Sequence, residues 1–185
     1  MAANAADQRL ALRGVLVRSV AGGFGDASGS SRGLSCPRDL EWLLSQRDWA
    51  EAVVVSYGTA LREHYPTAWR QRPVIVISED SSRREHARSL GFAVSDLAGL
   101  PQVINESRME RVVCEGGPRL VDRIAGLGWL GELALTTSPV LAPPDVLTPQ
   151  LDDWIAEATR KWSETTDGFV YELLTSGDRA DTENR

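Results

Sequence analysis

The chain has 185 residues, 42% of them apolar and 25% charged, with a net charge of -6 and a pI of about 5.0. That is enough for one domain with a full core, and the acidic balance argues against a phosphate-backbone partner. No apolar run is long enough to span a membrane, and the first residues, MAANAADQRLALR, lack the apolar core of a signal peptide, so a cytoplasmic protein without nucleic-acid or membrane partners is expected.

One domain over residues 1–185 is expected, with 1–9 as a flexible arm and 177–185 as a flexible tail. LALRGVLVRSV (10–20) reads as a first strand. The Gly- and Ser-rich stretch 21–35 cannot pack a core and reads as a long functional loop. Residues 36–49 read as a helix, with Pro37 in its first turn and Leu40, Leu43 and Leu44 as its apolar stripe. EAVVVS (51–56) and RPVIVIS (72–78) are continuous apolar runs of the kind found in parallel sheets. Residues 81–91 form a helix closed by Gly91, and GFAVS and RVVCE are two further strands. A helix starts at Pro118 and ends before Gly128. Residues 131–141 make a strand, 148–164 have helical composition, and 167–176 make a last strand after a turn at Asp167-Gly168.

Strands alternating with helices predict an α/β fold, a mostly parallel sheet covered on both faces with antiparallel strands at its C-terminal edge. Ligands in such sheets bind beyond the carboxyl ends of the strands. This rule selects the loops after residues 19, 56 and 114.

Each of these loops carries candidate residues. In VVCEGGPRL (112–120), Gly116 and Gly117 let a ligand approach the backbone, and the helix from Pro118 offers free N–H groups to an anion. The same spacing fits a tight strand-to-helix turn with Glu115 as a first-turn acid. Gly58-Thr59 follows a buried strand directly, and Thr59 also fits a simple N-cap. Ser78 precedes Ser81, Ser82, Arg83 and Arg84, a helix start suited to a 2′-phosphate and equally to a capped helix with exposed arginines. Neither His64 nor His86 makes a convincing catalyst. Cys36 and Cys114 fit no metal-ligand pattern, so no metal is expected; Cys114 reads as a buried small hydrophobe.

Two stretches carry a resemblance: VVCEGGPRLVDRIAGLGWLGELALTTSPVL, and RGLSCPRDLEWLLSQRDWAEAVVVSYGTALRE. Together they resemble the pyrimidine reductase family of riboflavin biosynthesis, with its dihydrofolate-reductase-like fold, over residues 13 to 142. The resemblance implies an NADPH-dependent oxidoreductase that transfers hydride to the C=N of a ribosylamino-pyrimidine phosphate, commonly as a homodimer. It implies Gly58, Thr59, Ser78, Ser81, Ser82, Arg83, Gly116 and Gly117 as cofactor-binding residues. Ser35, Arg47, Glu63 and Arg70 would surround the substrate, and Glu115 would be the catalytic, substrate-side acid. The chain departs from the family pattern at Ala21, Tyr57 and Gly131, and has a glutamate at 63 where an aspartate is usual. These departures keep two alternatives open: a reductase of the same fold acting on another C=N or C=C substrate, and a non-catalytic dimeric binding protein. The zinc signature of the family's partner deaminase is absent from the sequence.

Overall fold

In the computed structural model, which describes residues 11–26, 29–144 and 146–177, the first strand is β1 (Leu12–Ser19). The arm expected at 1–9 and all but the first residue of the expected tail lie outside the described residues. A 3-10 turn at Ser31–Leu34 interrupts the first loop before α1 (Pro37–Trp49). Next come β2 (Ala52–Ser56), α2 (Tyr57–Arg62), β3 (Ala68–Trp69), β4 (Arg72–Ile77), α3 (Ser81–Ser89) and β5 (Ala93–Ser95). The chain continues through α4 (Leu100–Glu106), β6 (Val112–Cys114), α5 (Pro118–Gly126) and β7 (Leu130–Ser138). It closes with α6 (Pro149–Glu157), β8 (Thr159–Thr166) and β9 (Phe169–Thr175).

The strands form one sheet in the order β3-β4-β2-β6-β1-β7-β9-β8, with β5 also paired to β4. From β4 to β7 all pairings are parallel, while β9 and β8 run antiparallel. This is the α/β architecture expected, antiparallel C-terminal strands included. Side chains alternate across a strand, so β2 sends Ala52 and Val54 to one face and Val53 and Val55 to the other. The first face is covered by Leu100 and Ile104 of α4, Leu120, Val121 and Ile124 of α5, and Leu151 of α6. The second is covered by Ala60 of α2 and Ala87 of α3, with Trp42 and Leu43 of α1 packed against it.

Four local expectations need correction. The helix expected over 148–164 stops at Glu157: Ala158 turns extended (φ -70°, ψ 148°), and Thr159–Thr166 becomes β8 by pairing with β9. Tertiary pairing here overrides composition. The strand expected over 131–141 ends at Ser138, ahead of Pro139, leaving Val140 and Leu141 exposed. The helices α2 and α4 were not anticipated. On α1 the inward face is not the leucine stripe: Leu40 is 53% exposed, while Asp39 and Gln46 are buried. Asp39, Trp42, Leu43 and Gln46 share one face at helical spacing. That face mixes acid and amide with apolar groups because its first turns border a cavity, not a packed core.

Candidate functional site

The loops after β1, β2 and β6 converge on one cavity of about 380 Å³. Its walls come from Phe24, Gly29, Ser31, Arg32 and Ser35 of the first loop, and from Asp39, Trp42, Leu43 and Arg47 of α1. Val15 to Val17 of β1, Thr59 and Arg62 of α2, Glu63 to Pro66 beyond it, Glu115, Gly117 and Pro118 after β6, and Thr136 of β7 also line it, with Leu40 of α1 at its rim.

Glu115 is 7% exposed and is engaged from two directions. Arg47 Nε donates to its two oxygens at 2.9 and 3.1 Å, and Arg47 Nη2 donates to Oε2 at 2.6 Å. The Tyr65 hydroxyl donates to the same Oε2 at 2.6 Å. A carboxylate offers about four lone-pair sites, so little acceptor capacity is left for a ligand. The Arg47 guanidinium also lies over the rings of Tyr65 and Trp69, 4.9 and 5.3 Å from their centroids. Burial works against the Arg47 charge, but the hydrogen bonds and charge of Glu115 outweigh it and hold the guanidinium above its ordinary range. Burial, reinforced by the negative Glu115, pushes the Tyr65 phenol well above its ordinary value. Tyr65 therefore remains a hydrogen-bond donor.

The two glycines after Glu115 serve different needs. A Cβ on Gly116 would run into Leu120 and stand 3.0 Å from the Ser56 backbone nitrogen, so Gly116 is demanded by the packing of this turn against β2. Gly117 caps α5 at φ 78°, a left-handed value that favours glycine. The nearest atom to a Cβ there is Thr59 Oγ1 at 3.6 Å, so Gly117 opens onto the cavity where α5 begins. Thr59 is not the N-cap of α2. Ser56 is, accepting from Thr59 N at 3.2 Å, and the Thr59 hydroxyl donates to Gly116 O at 3.3 Å. Gly58 has open space, with Arg62 Nη2 3.8 Å from a Cβ placed there. Exposed backbone at a helix N-terminus beside an open glycine is what a pyrophosphate requires, so the residues present fit a dinucleotide on this side.

Of the expected substrate residues, Ser35, Arg47 and Glu63 line the cavity and Arg70 does not. Ser35 donates to Asp39 Oδ2 at 2.6 Å, Glu63 pairs with Arg32 at 2.9 Å, and Arg70 pairs with Asp48 at 2.8 Å on the surface. Ser78, Ser81, Ser82 and Arg83 also lie outside the cavity lining. Asp80 caps α3 there, accepting from Ser82 N at 2.8 Å and Arg83 N at 3.3 Å, and Arg84 donates to Ser78 O at 2.7 Å. Tyr57 shares a 2.7 Å hydrogen bond with His86 Nδ1, and Gly131 packs against Ala11. The lining residues not anticipated from sequence include Asp39, Trp42, Arg62, Tyr65 and Thr136. Arg62 donates to Gly29 O at 3.1 Å and, among the described residues, has no carboxylate partner. Asp39 carried a usable signal, since it begins the α1 face that continues with Trp42, Leu43 and Gln46.

No protein-family model and no curated protein sequence matches the chain. Solved structures do. A pyrimidine reductase-like protein from Corynebacterium diphtheriae superposes with a TM-score of 0.68 at 18% identity, over 90% of this chain and 91% of that one. The Thermotoga maritima diaminohydroxyphosphoribosylaminopyrimidine deaminase/5-amino-6-(5-phosphoribosylamino)uracil reductase gives 0.69 at 16% identity, with 91% of this chain spanning 57% of that one. Dihydrofolate reductase from Enterococcus faecalis, in a complex with NADP(H), gives 0.68 at 15% identity over 91% and 97% of the two chains. The chain has the dihydrofolate-reductase-like fold. Within that fold its cavity lies where β1, β2 and β6 end, as the rule for parallel sheets requires. Among the described residues no helix is long and apolar enough to cross a membrane, and no cluster of metal-ligating side chains occurs.

Proposed function

We propose that the chain is an NADPH-dependent reductase of the pyrimidine reductase type, reducing the C=N of a ribosylamino-pyrimidine phosphate. The observation that carries this reading is Gly117, left-handed at the start of α5 and open to the cavity opposite Thr59. Gly117, Thr59 and Gly58 would hold the pyrophosphate through backbone N–H groups and the Thr59 hydroxyl, with Gly116 allowing the turn that presents them. When bound, the cofactor supplies the hydride. Phe24, Leu43 and Val15 line the cavity and exclude water from the reacting carbon. Arg47 is fixed in place by Glu115 and Tyr65, and Ser35 and Glu63 lie on the same cavity. In this reading Glu115 shapes the site by orienting Arg47, which faces the substrate.

Ser78, Ser81, Ser82 and Arg83 would stand near the adenosine phosphate. Asp80 already occupies the N–H groups of Ser82 and Arg83, accepts from the Ser82 hydroxyl and pairs with Arg83 Nε, so the Ser81 hydroxyl and the remaining donors of Arg83 would carry the preference for NADPH over NADH. A second reading, a reductase of the same fold with another C=N or C=C substrate, is favoured by Arg70. Paired with Asp48 outside the cavity, it leaves Arg62 as the cavity arginine without a carboxylate partner. The reading also has two copies of the chain pairing, for which the largely exposed β8 offers an outer strand. Light scattering at micromolar concentration would give the mass of two chains, and the mass of one would remove this part.

Titration with NADPH and NADH, followed by NADPH oxidation on the ribosylamino-pyrimidine phosphate, tests the activity. Tight NADPH binding with turnover supports the first reading. Binding without turnover supports the second, and absence of binding removes both. Gly117→Val tests the cradle itself. The left-handed backbone costs a branched residue about 1–2 kcal/mol, and the side chain enters the pyrophosphate path. NADPH affinity should be lost while the variant stays folded by circular dichroism. A folded variant with unchanged NADPH affinity would remove Gly117 from the site.

A further inference from the structure

The hairpin of β3 and β4 is strained at its turn. Its strands pair Trp69 with Arg72, so Arg70 and Gln71 make the whole connection. Both stand in the left-handed region, at φ 45° and 69°, where such two-residue turns usually carry asparagine or glycine. Strain of this kind persists where the surrounding contacts over-determine it. Here those contacts converge on Asp48, in the last turn of α1. Arg70 Nη1 donates to its two oxygens at 2.9 and 2.8 Å, Trp69 Nε1 donates at 3.3 Å, and Arg72 pairs with it at 3.5 Å. Arg72 also donates to the Arg47 carbonyl at 3.4 Å. The hairpin is thus docked on α1 beside Arg47.

What this docking delivers is the Trp69 ring. The Arg47 guanidinium lies 5.3 Å from its centroid and 4.9 Å from that of Tyr65, both within cation–π range. Glu115 takes Nε and Nη2, which fixes one edge of the fork, and the two aromatic rings restrict its tilt. Arg47 is 13% exposed and lines the cavity, and its Nη1 has no hydrogen bond among the described residues. We infer that Trp69 is a positioning residue: carried by the strained hairpin, it holds the Arg47 guanidinium in the orientation in which Nη1 meets the substrate. This rests on reading Arg47 as facing the substrate. It also gives Arg70 a place, since an arginine outside the cavity that grips Asp48 anchors the hairpin, not a ligand. The indole holds the Arg70 guanidinium 5.4 Å from its own centroid, so both ends of this chain of contacts meet on Trp69.

Proton exchange at the Arg47 Nε–H, followed by NMR on the whole chain without cofactor or substrate, tests the inference. Arg47→Lys identifies the signal by removing it. In Trp69→Leu this exchange should speed up about tenfold, the equivalent of one partly desolvated cation–π contact. The buried amides of Val53 and Val55 in β2 should exchange as in the wild type, which separates a local role from a general loss of stability. Trp69→Phe keeps an aromatic face, loses the indole N–H, and should restore most of the protection. Asp48→Ala frees the hairpin at an exposed position and should act as Trp69→Leu does. It decides the matter if Trp69→Leu fails to fold. Where the wild type reduces the ribosylamino-pyrimidine phosphate, Trp69→Leu should also raise KM about tenfold with kcat within about twofold. Unchanged Arg47 exchange, exchange that rises only in step with the β2 amides, a Trp69→Phe variant as fast as Trp69→Leu, or an unchanged KM would overturn the inference. The exchange measurement needs neither cofactor nor turnover, so failure of the reductase reading shows separately in the NADPH titration.

Discussion

Glu115 and Asp39 sit on one cavity, both more than nine-tenths buried, yet they are opposite kinds of acid. Glu115, at the end of β6, is saturated by Arg47 and Tyr65, which lie 68 and 50 residues away in sequence. Asp39, on α1, touches Ser35 and no cation. The difference shows that an acid's place in a motif does not tell whether it is free. Partners delivered by tertiary structure decide that. A saturated acid is fixed by its partners, and an open one keeps acceptor capacity beside the cavity.

The largest test of this contrast is Glu115→Gln. It leaves the Arg47 charge buried without a counter-charge, and breaking such a pair costs about 3–5 kcal/mol. Urea denaturation should show a loss on that scale, and a loss below about 1 kcal/mol would mean Glu115 is not the anchor described.

Tyr65→Phe is the intermediate case, removing one hydrogen bond to a charged group for about 1.5–3 kcal/mol. It also carries a pH signature. The native phenol is raised above its ordinary 10.0, so the folded state holds this proton more tightly than the unfolded one. Its contribution to stability is complete below pH 10.0 and is lost as pH climbs from there toward the raised native value. The gap between wild type and Tyr65→Phe should therefore narrow above that pH. Tyr171, also raised by burial, keeps part of the alkaline loss in the variant. A gap that holds constant across the range would place the Tyr65 proton outside this network.

The smallest effect belongs to Asp39→Asn. With no cation to abandon, the neutral amide should shift stability by no more than about 0.5 kcal/mol in either direction. A loss of more than about 2 kcal/mol in urea would show that Asp39 holds the fold together, as Glu115 does, and would dissolve the contrast.

Much of the scaffold is legible in the sequence. The apolar runs of β2 and β4 announce buried parallel strands, and Pro118 with Gly128 brackets α5. What was hidden depends on distant partners or on unusual surroundings. β8, with its TRKWSETT sequence, has no strand pattern of its own and exists because β9 pairs with it. α2 is masked by Gly58 and Thr59, which follow a strand directly, and its cap is Ser56, not Thr59. The α1 face was misjudged because a stripe of leucines normally marks the core side. On a helix that borders a cavity, polar residues turn inward, and Leu40 stands at the cavity rim, 53% exposed. The candidate site shows the same division. Gly117, Glu115 and Thr59 stood out by their neighbours in sequence, whereas the bond of Arg47 to Glu115 and the openness of Asp39 are set by distances no local pattern records.

Trp42 stacks on Trp162 of β8, ring centroids 5.0 Å apart and planes 23° from parallel. Two indoles this close share their electronic excitations, so the pair should give a split circular-dichroism band and a fluorescence distinct from that of isolated tryptophans. One member lines the cavity and the other sits partly exposed on the outermost strand. The protein thus carries an internal optical gauge, which a ring entering the cavity perturbs from one side and a molecule docking along β8 perturbs from the other.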